Sequence, residues 1–77
     1  MDERTKAVRK IMRDGSPVKA RAILDMVGLP EREHTLVLMH DIQNKDLLFV
    51  ADTLGICERQ AKLIHKKALN KIADTIF

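Results

Sequence analysis

The side chains best equipped for chemistry are few. His34, His40, His65 and the single cysteine, Cys57, are the soft ligands on offer. No pair among them stands three or four apart on one helix, the spacing that brings two ligands to one metal. No metal or cofactor site is expected from them. Ser16 is the only serine and lies beside a turn, so no serine, histidine and carboxylate set can be argued. No glycine-rich loop suited to cradling phosphate is present. The chain reads as a binding protein and not as an enzyme.

The binding chemistry concentrates between Glu58 and Lys71. Arg59, Lys62, Lys66, Lys67 and Lys71 stand there against Glu58, a net of +4 where the whole chain has +3. On that sum the rest of the chain is expected to be close to neutral. A cationic stripe on one helix suits a polyanion, because each phosphate neutralised releases counterions. Double-stranded DNA is the partner this implies.

Five residues in the first turns of that helix are candidates for base reading: Glu58, Arg59, Gln60, Lys62 and Leu63. Arg59 matches guanine, Gln60 matches adenine, Glu58 accepts from a cytosine amino group or favours the helix N-terminus, and Leu63 meets a thymine methyl or packs. Lys66, at the edge of the groove-facing set, goes with Lys67 and Lys71 to the phosphates.

The elements that must position these groups are helices. The chain has 77 residues, 45% hydrophobic and 32% charged, with no Trp or Tyr and two Phe. That is an aliphatic core, and it points to a single all-α bundle of about five helices. The sequence pI near 9.3 fits an acidic partner. One cysteine allows no intrachain disulfide. Met1 to Arg13 lacks a long apolar run, and no stretch approaches the ~20 apolar residues of a membrane span. A cytoplasmic protein without membrane contact is expected.

Taken in order, Asp2 to Asp14 reads as a first helix burying Ala7, Val8, Ile11 and Met12. Gly15 ends it, and Ser16-Pro17 restarts the chain. A second helix over 17–27 is expected to bury Val18, Ala22, Ile23, Met26 and Val27. Gly28 stops it. A third runs from Pro30 through Ile42, with Leu36, Val37, Met39, His40 and Ile42 spaced for burial. Asp46 caps a fourth, Leu47 to Leu54. Gly55 takes a left-handed conformation and turns the chain, and Ile56 plugs the corner. The fifth begins near Glu58 and runs to about Asp74, burying Ala61, Ile64, Ala68 and Leu69. The fourth and fifth together have the pattern of a helix-turn-helix at about 47–67, with small Ala51 at the crossing.

An internal echo accompanies this. Ala22 to Arg32 (AILDMVGLPER) resembles Phe49 to Arg59 (FVADTLGICER). It reads either as two tandem helix-turn-helix units or as two helix–Gly–helix corners that converge on one chemistry. Glu31 to Ile42 is net acidic, so only the second corner suits DNA.

From Leu29 to Ile72 the chain resembles region four of bacterial sigma factors. The family's opening stands intact as Leu29-Pro30-Glu31-Arg32-Glu33. Its I-A-x-x-L-G-I appears as Val50-Ala51-Asp52-Thr53-Leu54-Gly55-Ile56, and its closing basic helix as Lys66-Lys67-Ala68-Leu69-Asn70-Lys71-Ile72. The resemblance implies a promoter-gripping helix-turn-helix on residues 29–77, with 1–28 as an N-terminal helical pair. Cys57 replaces the usual Ser or Thr cap, at a cost of ~1 kcal/mol. In Glu58-Arg59-Gln60-Ala61-Lys62 only Lys62 keeps the family's character, so promoter preference does not carry over. The other sigma regions have no counterpart in these residues, which implies a stand-alone regulator of phage, mobile-element or small bacterial type.

Leu48 and Phe49 stand where the family has glutamates. One helix face cannot bury them together with Leu47 and Val50. Either the N-terminal helices cover them or a partner does, as a homodimer or as RNA polymerase, which the family's region four also docks on. Ile76 and Phe77 pose the same question, with packing on Ile11 or Met12 the alternative. A protein-interaction adaptor that does not read DNA is therefore the second expected function.

Overall fold

A computed structural model describes residues 3–77. Its elements are α1 (Glu3–Asp14), α2 (Pro17–Val27), α3 (Glu31–Val37), a π-helical turn (Leu38–Ile42), α4 (Leu47–Leu54) and α5 (Glu58–Ile76), with no strand among the described residues. The all-α bundle expected from composition is what forms. Asp2, expected in the first helix, lies outside the described residues. None of the described helices is long and apolar enough to cross a membrane.

The 19-residue α5 is the spine. Its N-terminal part packs Ala61, with Ile64 at the edge, against Leu36 of α3 and Val50 and Ala51 of α4. Its C-terminal part packs Ala68, Leu69, Ile72 and Ala73 against Val8 and Met12 of α1, Ala20 and Leu24 of α2, and Val37. Alanine at the contact positions of α4 and α5 lets the helices approach closely, and branched side chains fill what remains. Ile76 seals the lower end against the same cluster, while Phe77 is two-thirds exposed.

The two corners of the echo share one geometry. Gly28 has φ 70° and ψ 44°, and Gly55 has φ 70° and ψ 32°. Both are left-handed, a conformation that costs an L-residue its Cβ clearance and costs glycine nothing. At Gly55 the N–H of Ile56 bonds the Ala51 carbonyl at 3.0 Å, and Gly55 N–H bonds that of Asp52 at 3.2 Å. Those bonds satisfy carbonyls that a helix end otherwise leaves orphaned. Asp46 caps α4 as expected, accepting from Leu48 N–H at 3.2 Å.

Three expectations need correction. The buried face of α2 is Ala20 and Leu24, with Ile23 and Val27 half-buried. Val18 is 79% exposed, Met26 65%, and Ala22 is exposed too. Apolar residues run most of the way round α2, so periodicity alone could not choose a face; the core takes Ala20 and Leu24. The N-terminal helices do not cover Leu48 and Phe49, which are half-exposed. The core side of α4 is made by Val50 and Ala51, with Leu47 and Leu54 packed beside them.

The third helix, finally, does not run as one α-helix to Ile42. After Val37 the chain widens, and Gln43 N–H reaches back five residues to the Leu38 carbonyl at 3.0 Å. The extra residue in the turn rotates the following side chains. Met39, His40 and Ile42 are only half-buried, and Asp41 is fully buried in their place.

Candidate nucleic-acid interface

Helical periodicity sets what α5 offers to solvent. Ala61, His65, Ala68, Leu69 and Ile72 face the bundle, so Arg59, Leu63, Lys66, Lys67 and Asn70 fall on the opposite side. All five are exposed, Leu63 by 60%. Packing thus holds the base-reading candidates Arg59 and Leu63 and the phosphate candidates Lys66 and Lys67 on one outward face. Among the described residues no carboxylate pairs with Arg59, Lys66 or Lys67.

The remaining candidates are partly occupied. Lys62 lies 3.5 Å from Glu58, four residues back, with both side chains largely in water. Such a pair is weak and exchanges readily for a phosphate. Lys71 reaches across to Glu33 at 2.8 Å, whose carboxylate is 11% exposed. It neutralises an acid of α3 and is committed to the fold. Gln60 is engaged within the chain. Its Oε1 accepts the Cys57 N–H at 3.3 Å. Cys57 has the extended backbone of an N-cap, φ −81° and ψ 161°. Gln60 therefore supplies the reciprocal half of a capping box and supports a start that thiol chemistry leaves weak.

Behind this face lies a polar cluster that helical spacing does not reveal. Asp41, from the π turn, accepts from His65 Nε2–H of α5 at 2.6 Å and from Arg13 Nε–H of α1 at 3.3 Å. His40 donates from Nδ1 to the Lys45 carbonyl at 2.8 Å, since a carbonyl can only accept. Its Nε2 lone pair then faces the Arg13 Nη2 donor at 3.2 Å. The rings of His40 and His65 meet edge to face, 5.1 Å apart. Burial pushes the Asp41 carboxyl up. The His65 hydrogen bond, the electrostatic attraction of His65 and His40, and the Arg13 bond outweigh it, and the net shift is below the ordinary carboxylate value.

Ligand atoms of His40, Asp41 and His65 all lie within 4.8 Å of one another. Two of the four soft ligands thus meet through tertiary packing. The other two do not join them: His34 pairs with Asp25 at 3.1 Å, and Cys57 is exposed at the start of α5. The Arg13 guanidinium bonds both Asp41 and His40 and brings a positive charge to the cluster. The cluster is a buried ion-pair network tying three elements together. Its one legible sign was His65, which falls on the apolar stripe between Ala61 and Ala68.

The consequence for α5 is positional. Its first half is gripped by α4, its middle by Asp41 and its second half by α1 and α2. A helix held along its length on one side presents the other as a fixed array of charge. No protein-family model matches this chain, and no curated protein or solved structure matches it.

Proposed function

We propose that this protein is a DNA-binding regulator in which α4, the Gly55 turn and α5 act as a helix-turn-helix. The first turns of α5 enter the major groove, Arg59 and Leu63 meet base edges, and Lys66 and Lys67 hold phosphates. The observation that carries the reading is the outward face of α5, with three cations that have no carboxylate partner among the described residues. The sigma region-four resemblance over Leu29 to Ile72 supports it. The test is a titration of duplex DNA across a range of salt. Replacing Lys66 and Lys67 by Ala removes two phosphate contacts and flattens the log–log salt slope by roughly two. An unchanged slope and affinity count against the assignment.

A second function is favoured by one observation of its own. Leu48 and Phe49 are half-exposed side by side on α4, and large apolar neighbours on a surface mark a contact site. An adaptor that binds RNA polymerase through α4 fits them. Retention on immobilised core polymerase that is lost in Leu48→Glu supports it; no retention of the wild type, or equal retention of the variant, removes it.

A further inference from the structure

The near-neutral balance outside α5 is a cancellation. Residues 17–57 carry six acids against four cations, whereas α1 carries Arg4, Lys6, Arg9, Lys10 and Arg13 against Glu3 and Asp14. This second basic helix lies outside the stretch that resembles sigma region four. Lys6, Arg9, Lys10 and Arg13, with Asp14, line a shallow depression of about 210 Å³. Their spacing is the notable part. Lys6 and Lys10, and Arg9 and Arg13, are four apart; Lys6 and Arg9, and Lys10 and Arg13, are three apart. Each of these is a like-charge neighbour on a helix surface, an arrangement that opposes helix formation. The fold gains nothing from Lys6 and Lys10, whose side chains are exposed and outside the core.

We infer that this face of α1 is a second phosphate-binding surface, which takes the sugar-phosphate backbone of the same nucleic acid that α5 binds. The inference rests on the DNA-binding reading above. Three observations support it. First, a polyanion offsets the like-charge repulsion between exposed Lys6 and Lys10. Second, Arg13 is already fixed: its Nε and Nη2 are held by Asp41 and His40, so its remaining N–H groups are oriented before any ligand arrives. Third, α1 lies against α5. Arg4 bonds Asp74 at 2.5 Å near the end of α5, and Arg13 reaches His65 through Asp41 at its middle, so the two helices run antiparallel and in contact. The longest dimension of the chain is 30 Å, shorter than the roughly 34 Å of one duplex turn. The two basic helices are therefore separated by less than one turn of duplex.

The experiment is a salt titration of a 20–24-base-pair duplex (about two turns) with wild type, Lys6→Gln/Lys10→Gln, and Lys66→Gln/Lys67→Gln. Melting temperatures of all three are matched first, and a charge-reversed Lys6→Glu/Lys10→Glu variant extends the series. The α1 double variant is expected to lose roughly two units of salt slope, so that raising salt from about 50 to about 200 mM costs it roughly tenfold less affinity than wild type. The charge-reversed variant binds more weakly than the glutamine variant at every salt. A slope unchanged in the α1 variants but flattened in the α5 variant overturns the α1 surface and leaves the α5 reading standing. A wild type that binds no duplex overturns both.

Discussion

Asp41 is the residue on which the geometry of α5 depends most sharply, and Asp41→Asn is the perturbation that tests it. The carboxylate is fully buried and accepts two hydrogen bonds from donors, His65 at 2.6 Å and Arg13 at 3.3 Å. An amide of the same shape has one acceptor and one donor. Turned one way, its N–H faces the Arg13 donor; turned the other, it faces His65, which must change tautomer to accept; either way the tethered guanidinium loses its counter-charge. Breaking a buried pair in this way costs about 3–5 kcal/mol. The lower end applies here, because the Arg13 side chain is 36% exposed and recovers solvation when released. Against a net stability of roughly 4–12 kcal/mol for a chain of this size, that is a severe loss. It corresponds to a fall in melting temperature of roughly 12–24 °C.

The assay is far-ultraviolet circular dichroism with urea and heat at neutral pH. It is run on the wild type, Asp41→Asn, His65→Gln and the double variant. A coupling energy of at least about 1.5 kcal/mol is expected between the two sites. Acid supplies a second axis. Because the folded Asp41 value is depressed, its contribution is fully present above the ordinary carboxylate value of about 3.9 and is lost as pH falls through the lower folded value. The stability gap between wild type and Asp41→Asn should therefore narrow below about pH 4. A gap that widens in acid, or a cycle with no coupling, refutes the account of the cluster.

Three further substitutions test the packing and the corners, each read by urea denaturation. Leu24→Ala is expected to cost about 2–5 kcal/mol and Met26→Glu no more than about 0.5, because the first empties a core site and the second changes an exposed one; comparable losses would mean that α2 buries the other face. Gly55→Ala is expected to cost about 1 kcal/mol. The cost is conformational alone, since a Cβ there meets no atom within 4 Å. Gln60→Ala should lower stability by about 0.5–1 kcal/mol through the lost cap, and an equal affinity ranking of duplex sequences before and after the change would establish that Gln60 does not read bases.

The sequence made legible whatever follows from local rules. Asp46 and Gly55 bound α4 because capping and left-handed turns are decided within three or four residues. The outward face of α5 was legible for the same reason: once Ala61, Ala68 and Leu69 are buried, Arg59, Lys66 and Lys67 have nowhere else to go. What was not legible depends on competition between surfaces. α2 has enough apolar residues to bury either side, and the choice of Leu24 over Met26 is made by the space α1 and α5 leave. Asp41 is the harder case. A carboxylate in a helical stretch ordinarily marks solvent, yet Asp41 is fully buried. The π turn carries it, and its partners His65 and Arg13 stand on two other helices. Neither partner is close in sequence, so no local pattern announces the site. The same three-way tie draws in α1, which the family resemblance does not cover: Arg13 bonds Asp41, and Asp41 bonds His65 at the middle of α5. A contact that joins three elements through one buried carboxylate is decided only when all three are in place, which is why it is read from the packing and not from any one helix.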